Sequence, residues 1–282
     1  MSERLPNFIY IGPSKAGSTW LHEVLIRHPQ IYMCSGKDLY FFDRYFERGI
    51  GWYAGHFRDV RVEQRVVGEV CQEYLSSAEA PKRMRSSLGP ELRLMVTLRD
   101  PVARAFSGYL YMRKHGVFDG SFRQALDSRP GMFDHSRYAT LLSQYLEYFD
   151  LSAIHCALFD DLVEDAQSFI DALLAWLDVD QMELDESLLA ARLPAAKARS
   201  LPLARAAKLG ANWARQHNAA TLVGMVKRSS VVQQALYVRL GDDKPRLSED
   251  DAMYVREVLR PEIVQVEKML GLDLRRRWDW PE

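Results

Sequence analysis

The sequence predicts a three-layer α/β fold, with a central parallel sheet flanked by helices and a helical C-terminal region. Three observations predict it. Short apolar runs alternate with helical periodicity through the first part of the chain, each run is bounded by Gly, Pro or charge, and only helical patterns follow from about residue 188. The 282 residues read as one domain, an α/β core over residues 1–180 with residues 181–282 as its helical extension.

Residues 8–11 (FIYI), 66–70 (VVGEV), 92–98 (LRLMVTL) and 154–159 (IHCALF) read as buried strands. Helical periodicity over residues 18–27, 101–114 and 165–177 follows the first, third and fourth of them, and a helix over residues 137–148 precedes the fourth. Pro101 suits a first helical position. The last helix opens at Ser248, with Asp251 three residues on, in the pattern of a capping box. Pro261 is expected to break or kink that helix and Gly271 to end it.

Composition sets the class. With 48% apolar and 27% charged residues the chain fits a folded globular protein. Its three cysteines, Cys34, Cys71 and Cys156, are odd in number and lack metal-ligand spacing, so they read as reduced thiols, with neither a disulfide nor a metal site expected. The stretch MSERLPNF carries no signal-peptide pattern and no run is long enough to span a membrane, which reads as cytoplasmic. A net charge of −1 conceals a segment, residues 187–241, with nine basic residues and no acidic one. That segment reads either as a solvated helical surface or as an attraction for an anionic ligand, acceptor or membrane face. It could also shape the acceptor pocket, act as a lid or form a dimer face; no nucleic-acid partner is read.

The chemistry begins after the first strand. GPSKAGST keeps Gly12, Gly17 and Thr19 of a phosphate-cradling P-loop, but Ser18 holds the usual lysine position and Lys15 lies within the loop. Such a P-loop-like turn can still place an anion at a helix N-terminus, where the dipole favours it. A mid-loop lysine lies beside the first phosphate rather than along a phosphate chain. A plain strand-to-helix turn is the alternative. In LRDPVARAFSGYLYM, Arg99 at a strand end and Ser107 two helical turns on can reach one phosphate, unless Arg99 pairs with Asp100 or another carboxylate. The aromatic stretch SGKDLYFFDRYFERGIGWYAGHF contains Asp38 between Lys37 and Leu39.

On these residues the chain resembles the sulfotransferases that use 3′-phosphoadenosine-5′-phosphosulfate, above all the heparan sulfate sulfotransferase branch and its bacterial relatives. The likeness rests on Lys15 to Thr19, on Arg99-Asp100-Pro101 with Arg104 and Ser107, and on Asp38, Phe41, Phe42 and the Gly-x-x-Trp-Tyr of residues 49–53. It covers residues 8–177, with a weaker echo over residues 244–278.

The resemblance implies roles. Lys15 would bind the 5′-phosphosulfate, cradled by backbone N–H groups around Ala16, Gly17, Ser18, Thr19 and Trp20. Arg99 and Ser107 would hold the 3′-phosphate. Asp38 stands where the heparan-type branch has a glutamate acting as general base; Glu69 is the rival, and an ion pair of Asp38 with Lys37 or Arg44 the structural alternative. Lys244 and Arg246 resemble a loop that closes over the donor, with Pro245 in place of a glycine. Tyr40, Phe41 and Tyr138 would line the acceptor side, Tyr138 equally well being core. No metal is implied, and adenosine-3′,5′-bisphosphate would be the product. The acceptor would be a small molecule or glycan. Around Glu69 the chain departs from the family pattern, reading Val70, Cys71, Gln72 and Glu73. His22 and His56 read as structural. A P-loop kinase or NTPase with Asp100 as its magnesium ligand, and a catalytically dead nucleotide- or polyanion-binding relative, stay as rival classes.

Overall fold

A computed structural model describes residues 4–189, 196–198, 237–239 and 245–281. In chain order the elements are β1 (Phe8–Gly12), α1 (Ser18–Leu25), β2 (Ile31–Met33), α2 (Ile50–Ala54), β3 (Val66–Val70), α3 (Ala80–Leu88) and β4 (Arg93–Leu98). There follow α4 (Pro101–Lys114), α5 (Phe122–Ser128), α6 (Gly131–Asp134), α7 (Tyr138–Leu146), β5 (Ile154–Leu158), α8 (Phe159–Glu164), α9 (Ala166–Trp176) and α10 (Glu186–Leu189). The short strands β6 (Ala196–Ala198) and β7 (Tyr237–Arg239) precede α11 (Glu249–Leu270) and α12 (Leu274–Arg277). Contacts divide the chain into two units, one of residues up to Arg99 with Leu141–Arg192, the other of Asp100–Thr140 with Leu193–Glu282.

The first unit holds a five-stranded sheet in the order β2-β3-β1-β4-β5. Every pairing is parallel, from Ile31 beside Val66 to Leu94 beside Ile154. Apolar strands buried on both faces suit a parallel sheet, since crossover helices cover each side. On one face Phe8, Tyr10, Val66, Val70 and Met95 pack against Trp20, Leu21, Val24 and Leu25 of α1 and Phe169, Ile170, Leu173 and Leu174 of α9. Strand alternation then turns Glu69 to the other face, where Phe41, Tyr53 and Tyr74 are fully buried. Gly68 lets this face pack closely, since a Cβ there would meet Met33 Sδ at 2.7 Å and Phe8 Cδ1 at 3.0 Å.

β2, three residues long, is an addition to the expected strands: IYM is too short to show periodicity, and its pairing to β3 creates it. The four expected strands and the five expected helices lie within about two residues of their predicted bounds, whereas α2, α3, α5, α6 and α8 are additions to the expected helices.

In the second unit α4 begins at Pro101 with Asp100 as N-cap, its carboxylate accepting from Val102 N at 3.3 Å and Ala103 N at 3.2 Å. Trp280 Nε1 donates to the same carboxylate at 3.0 Å. Arg104, 3% exposed, donates to Ser136 Oγ and the Met132 carbonyl, so it braces α4 against the segment before α7. Three expectations are corrected. α11 runs unbroken through Pro261, because Val255, Leu259, Ile263 and Val266 are buried on both sides of it and that packing offsets one absent backbone hydrogen bond. The capping box is half formed: Ser248 Oγ accepts from Asp251 N at 3.2 Å, but the Asp251 carboxylate takes Arg123 Nε at 2.9 Å. The stretch after residue 188 is not helical only, since β6 and β7 pair antiparallel. Most of the basic segment, and Lys244, lie outside the described residues.

Asp100 thus satisfies three N–H donors. Asp100→Ala removes a helix cap and strands the buried Trp280 N–H, and is expected to cost about 1–3 kcal/mol, read as a lowered urea midpoint. An unchanged midpoint would show that α4 does not rely on this cap.

Candidate active site

In a parallel sheet all strands end on one edge, and in open α/β folds that edge receives the ligand. Each of the five strand ends here contributes to one cluster. From β1 the chain turns through residues 13–17 into α1, with Gly12 at φ 132° and Gly17 at φ 85°, backbone conformations that side chains oppose. Space is closed as well: a Cβ on Gly12 would stand 2.5 Å from the Gln72 carbonyl oxygen, and one on Gly17 2.7 Å from Leu162 Cδ2. Gly17 is the N-cap of the eight-residue α1, which has no side-chain cap and no acidic residue in its first turn. Those first N–H groups, with Lys15 beside them, are chemistry suited to an anion.

Arg99, just past β4, donates through Nη1 to the Lys15 carbonyl at 2.5 Å, and its Cζ lies 4.3 Å over the Phe159 ring at the end of β5. Asp100, its neighbour in sequence, caps α4. Arg99 therefore ties the ends of β4 and β5 to the loop that carries Lys15.

Asp38 follows β2 and is 7% exposed, with its N–H bonded to the Val70 carbonyl at 2.9 Å. Its Oδ2 lies 3.8 Å from Lys37 Nζ, and that ammonium lies 3.5 Å from Thr19 Oγ1 at the start of α1. A second link runs through Gln72, after β3: Ser18 Oγ donates to Gln72 Oε1 at 3.2 Å, and Gln72 N lies 3.5 Å from Asp38 Oδ1. Lys37 is thus the cation beside Asp38, whereas Arg44 pairs with Asp43 at 3.2 Å and Glu73 at 3.7 Å. Among the described residues five non-glycines have positive φ, and three of them, Lys15 (70°), Asp38 (63°) and Tyr40 (56°), belong to this region. Backbone strain of this kind gathers at functional sites and is held there by its surroundings.

Glu69 is fully buried. Its Oε2 accepts from Tyr53 OH at 2.7 Å, and its Oε1 from Tyr74 OH at 2.9 Å and Leu39 N at 3.3 Å. Desolvation of a lone carboxylate costs several kcal/mol, more than these three donors return. Burial accordingly raises its pKa to about 8, with the nearby Asp38 adding to the rise and the three donors opposing it. At neutral pH it is mostly a protonated acid, enclosed and engaged, one residue before the end of β3.

Several expected site residues are placed elsewhere. Phe41 is fully buried and stacks on Tyr53 with ring centroids 4.5 Å apart, packed beneath the Asp38 segment. Tyr138 is fully buried at the start of α7, the core alternative. Tyr40 is partly exposed beneath Arg44, whose Cζ lies 4.2 Å from its ring. Ala16 is buried, and the Trp20 ring anchors α1 by donating to the Leu188 carbonyl at 2.9 Å. Ser107, half-buried on α4, and Arg246, exposed, belong to the second unit. His22 bonds the Cys34 carbonyl at 2.8 Å and His56 packs on Trp52, both as expected of structural histidines. Lys37, Gln72 and Phe159 are contributors not assigned a role from sequence; only Lys37, beside a candidate base, carried a legible signal.

The sulfotransferase domain family model matches residues 5–220. The chain is 33% identical over 156 residues to a membrane-associated sulfotransferase of Dictyostelium discoideum, covering 51% of this chain and 33% of that protein. It is 29% identical over 192 residues to heparan sulfate glucosamine 3-O-sulfotransferase 6 of Mus musculus, covering 65% and 55%. Its match to human bifunctional heparan sulfate N-deacetylase/N-sulfotransferase 3 is 33% over 168 residues, covering 52% and 19%. The chain thus spans from about a fifth to just over half the length of these relatives. In fold it is similar to the crystal structure of a sulfotransferase from Alicyclobacillus acidocaldarius, with a TM-score of 0.59, 22% identity and coverage of 82% of this chain and 99% of that one. No described helix is long and apolar enough to cross a membrane.

Because Glu69 keeps its proton to about pH 8 when folded, against an ordinary value of 4.5, the folded chain binds the extra proton across that window. Stability attributable to this group is therefore full below about pH 4.5 and declines as pH rises toward 8. Glu69→Gln is expected to flatten that decline, followed as urea midpoints from pH 5 to 8.5. Equal slopes in the two proteins would place the titration on another group.

Proposed function

The chain belongs to the sulfotransferase family, and on that premise we propose that it moves a sulfuryl group from 3′-phosphoadenosine-5′-phosphosulfate to an acceptor hydroxyl. A carbohydrate, glycolipid or secondary metabolite is the acceptor class, with an amine as the second choice. The observation that carries the reading is the cluster at the sheet edge. A lysine in a strained glycine-bounded loop and an uncapped helix start meet a guanidinium from β4 on one side and a carboxylate from β2 on the other.

These residues divide the work by charge. Lys15 and the first N–H groups of α1 receive the 5′-phosphosulfate, and Lys15 meets the negative charge that grows on the bridging oxygen as its bond to sulfur breaks. Arg99 is the candidate for the 3′-phosphate. By bonding the Lys15 carbonyl it also keeps the loop in shape, so one side chain serves both ends of the donor. Asp38 takes the proton of the acceptor hydroxyl as the new oxygen–sulfur bond forms. The products are a sulfate ester and adenosine-3′,5′-bisphosphate, with the proton left on Asp38. Rate enhancement then comes from positioning and electrostatics, as in a loose in-line transfer. A single leaving phosphate is met by Lys15 and backbone donors, and no metal ion is given a role. Glu69, protonated and enclosed, orders the Asp38 segment through Leu39.

Labelled donor offered with a phenol, a sugar and a primary amine, with and without a chelator, tests the reading. Label transfer that survives the chelator is expected. Phosphate release that depends on magnesium would favour an NTPase, and donor binding without transfer a dead relative.

Lys15→Ala is expected to lower kcat/KM by about a thousandfold with the melting temperature unchanged. Asp38→Asn should lower kcat by about a hundredfold or more. Retained turnover in either would remove that residue from its role.

A further inference from the structure

We propose that Lys37 is a positioning residue that holds the Asp38 carboxylate in register with the donor-side helix α1. The proposal rests on the sulfotransferase reading and adds to it a residue that the motifs do not include. Its ground is geometric. The Lys37 ammonium stands between two groups that belong to opposite sides of the transfer, 3.5 Å from Thr19 Oγ1 in the first turn of α1 and 3.8 Å from Asp38 Oδ2 on the segment after β2.

Three features make the link more than a surface ion pair. The side chains are largely enclosed, 18% exposed for Lys37 and 11% for Asp38, so solvent screens the attraction less than at an open surface. Asp38 sits at φ 63°, a conformation it holds only with support, and the Val70 carbonyl supports its backbone but not its carboxylate. Gln72 makes a parallel connection, taking Ser18 Oγ through its side chain and approaching Asp38 through its N–H. The first two residues of α1 are therefore each coupled to Asp38, Ser18 through Gln72 and Thr19 through Lys37. The chain segments that carry these groups come from different strand ends and share no backbone, so their relative position depends on such cross-links.

Sulfuryl transfer needs the acceptor oxygen in line with the bond that breaks, and an error of about 1 Å in such an arrangement can cost a hundredfold in rate. Lys37 sets that distance from the base side. An ammonium placed there also keeps a positive charge beside the path along which the sulfuryl oxygens pass.

The test compares wild type with Lys37→Met and Lys37→Arg, using labelled 3′-phosphoadenosine-5′-phosphosulfate and the best acceptor from the panel above. Calorimetric binding of adenosine-3′,5′-bisphosphate, which lacks the sulfuryl group, serves as the control. Lys37→Met is expected to lower kcat by about a hundredfold, with affinity for the bisphosphate within about threefold of wild type. Lys37→Arg, which keeps a cation of similar reach, is expected to recover at least a tenth of wild-type kcat. A Lys37→Met protein with wild-type kcat overturns the proposal, and so does one whose bisphosphate affinity falls as far as its kcat, since Lys37 would then be part of donor binding or of the fold. If Lys37→Met fails to fold, Lys37→Arg decides: folded with bisphosphate affinity kept and kcat between a tenth and all of wild type supports the role, and folded with kcat below a hundredth refutes it. Wild type that neither binds the bisphosphate nor transfers label overturns the sulfotransferase reading itself, and Lys37's role with it.

Discussion

A parallel sheet buried on both faces can present polar chemistry only where its strands stop. That constraint organises this molecule. Apart from Glu69 and Thr97, the interiors of β1, β3 and β4 are apolar, and they are buried, so the backbone hydrogen bonds of the sheet are sealed from water. Among the described residues, the loops that leave the strand ends carry the charged cluster of Lys15, Lys37, Asp38 and Arg99. Because the strands all run one way, five loops converge without any of them having to be long.

Convergence alone does not make a site; the loops must be locked to one another. Arg99 does so between β4, β5 and the first loop, where a single guanidinium bonds the Lys15 carbonyl and stacks over Phe159. Lys37 and Gln72 do so between α1 and the Asp38 segment. The same economy appears in the second unit, where Asp100 serves as helix cap and as partner for Trp280 near the end of the chain. Adjacent residues Arg99 and Asp100 each take on a different backbone task, the Lys15 carbonyl for one and the first N–H groups of α4 for the other. A backbone carbonyl and an N–H group are fixed acceptors and donors, and a charged side chain bonded to one is oriented more firmly than in an exposed pair.

Two carboxylates on neighbouring strands, one within β3 and one past the end of β2, illustrate how environment separates groups. Glu69 lies within β3, fully buried behind tyrosines, and burial raises its pKa. Asp38 lies past the end of β2 with a lysine at hand. Position along the strand, inside or beyond it, divides a structural acid from the candidate base.

From sequence alone the alternation of strand and helix, the start of α1 and α4, the mid-loop lysine and the family were all legible, because each is written in local spacing: apolar period, a cap, a proline at a first turn, a glycine that allows a sharp bend. What residues 41, 69 and 138 do was not. Phe41 and Tyr138 carry the same residue types in a cleft as in a core, and only packing put them in the core. Nothing in the sequence around Glu69 showed that Tyr53 and Tyr74 would enclose it. The strand β2 exists through pairing with β3, and α11 passes through Pro261 because its buried face is held on both sides. The links among Lys37, Thr19, Gln72 and Asp38 join residues from three separate strand ends. Tertiary structure alone decides such contacts, since the distance between loops far apart in sequence is set by the sheet between them.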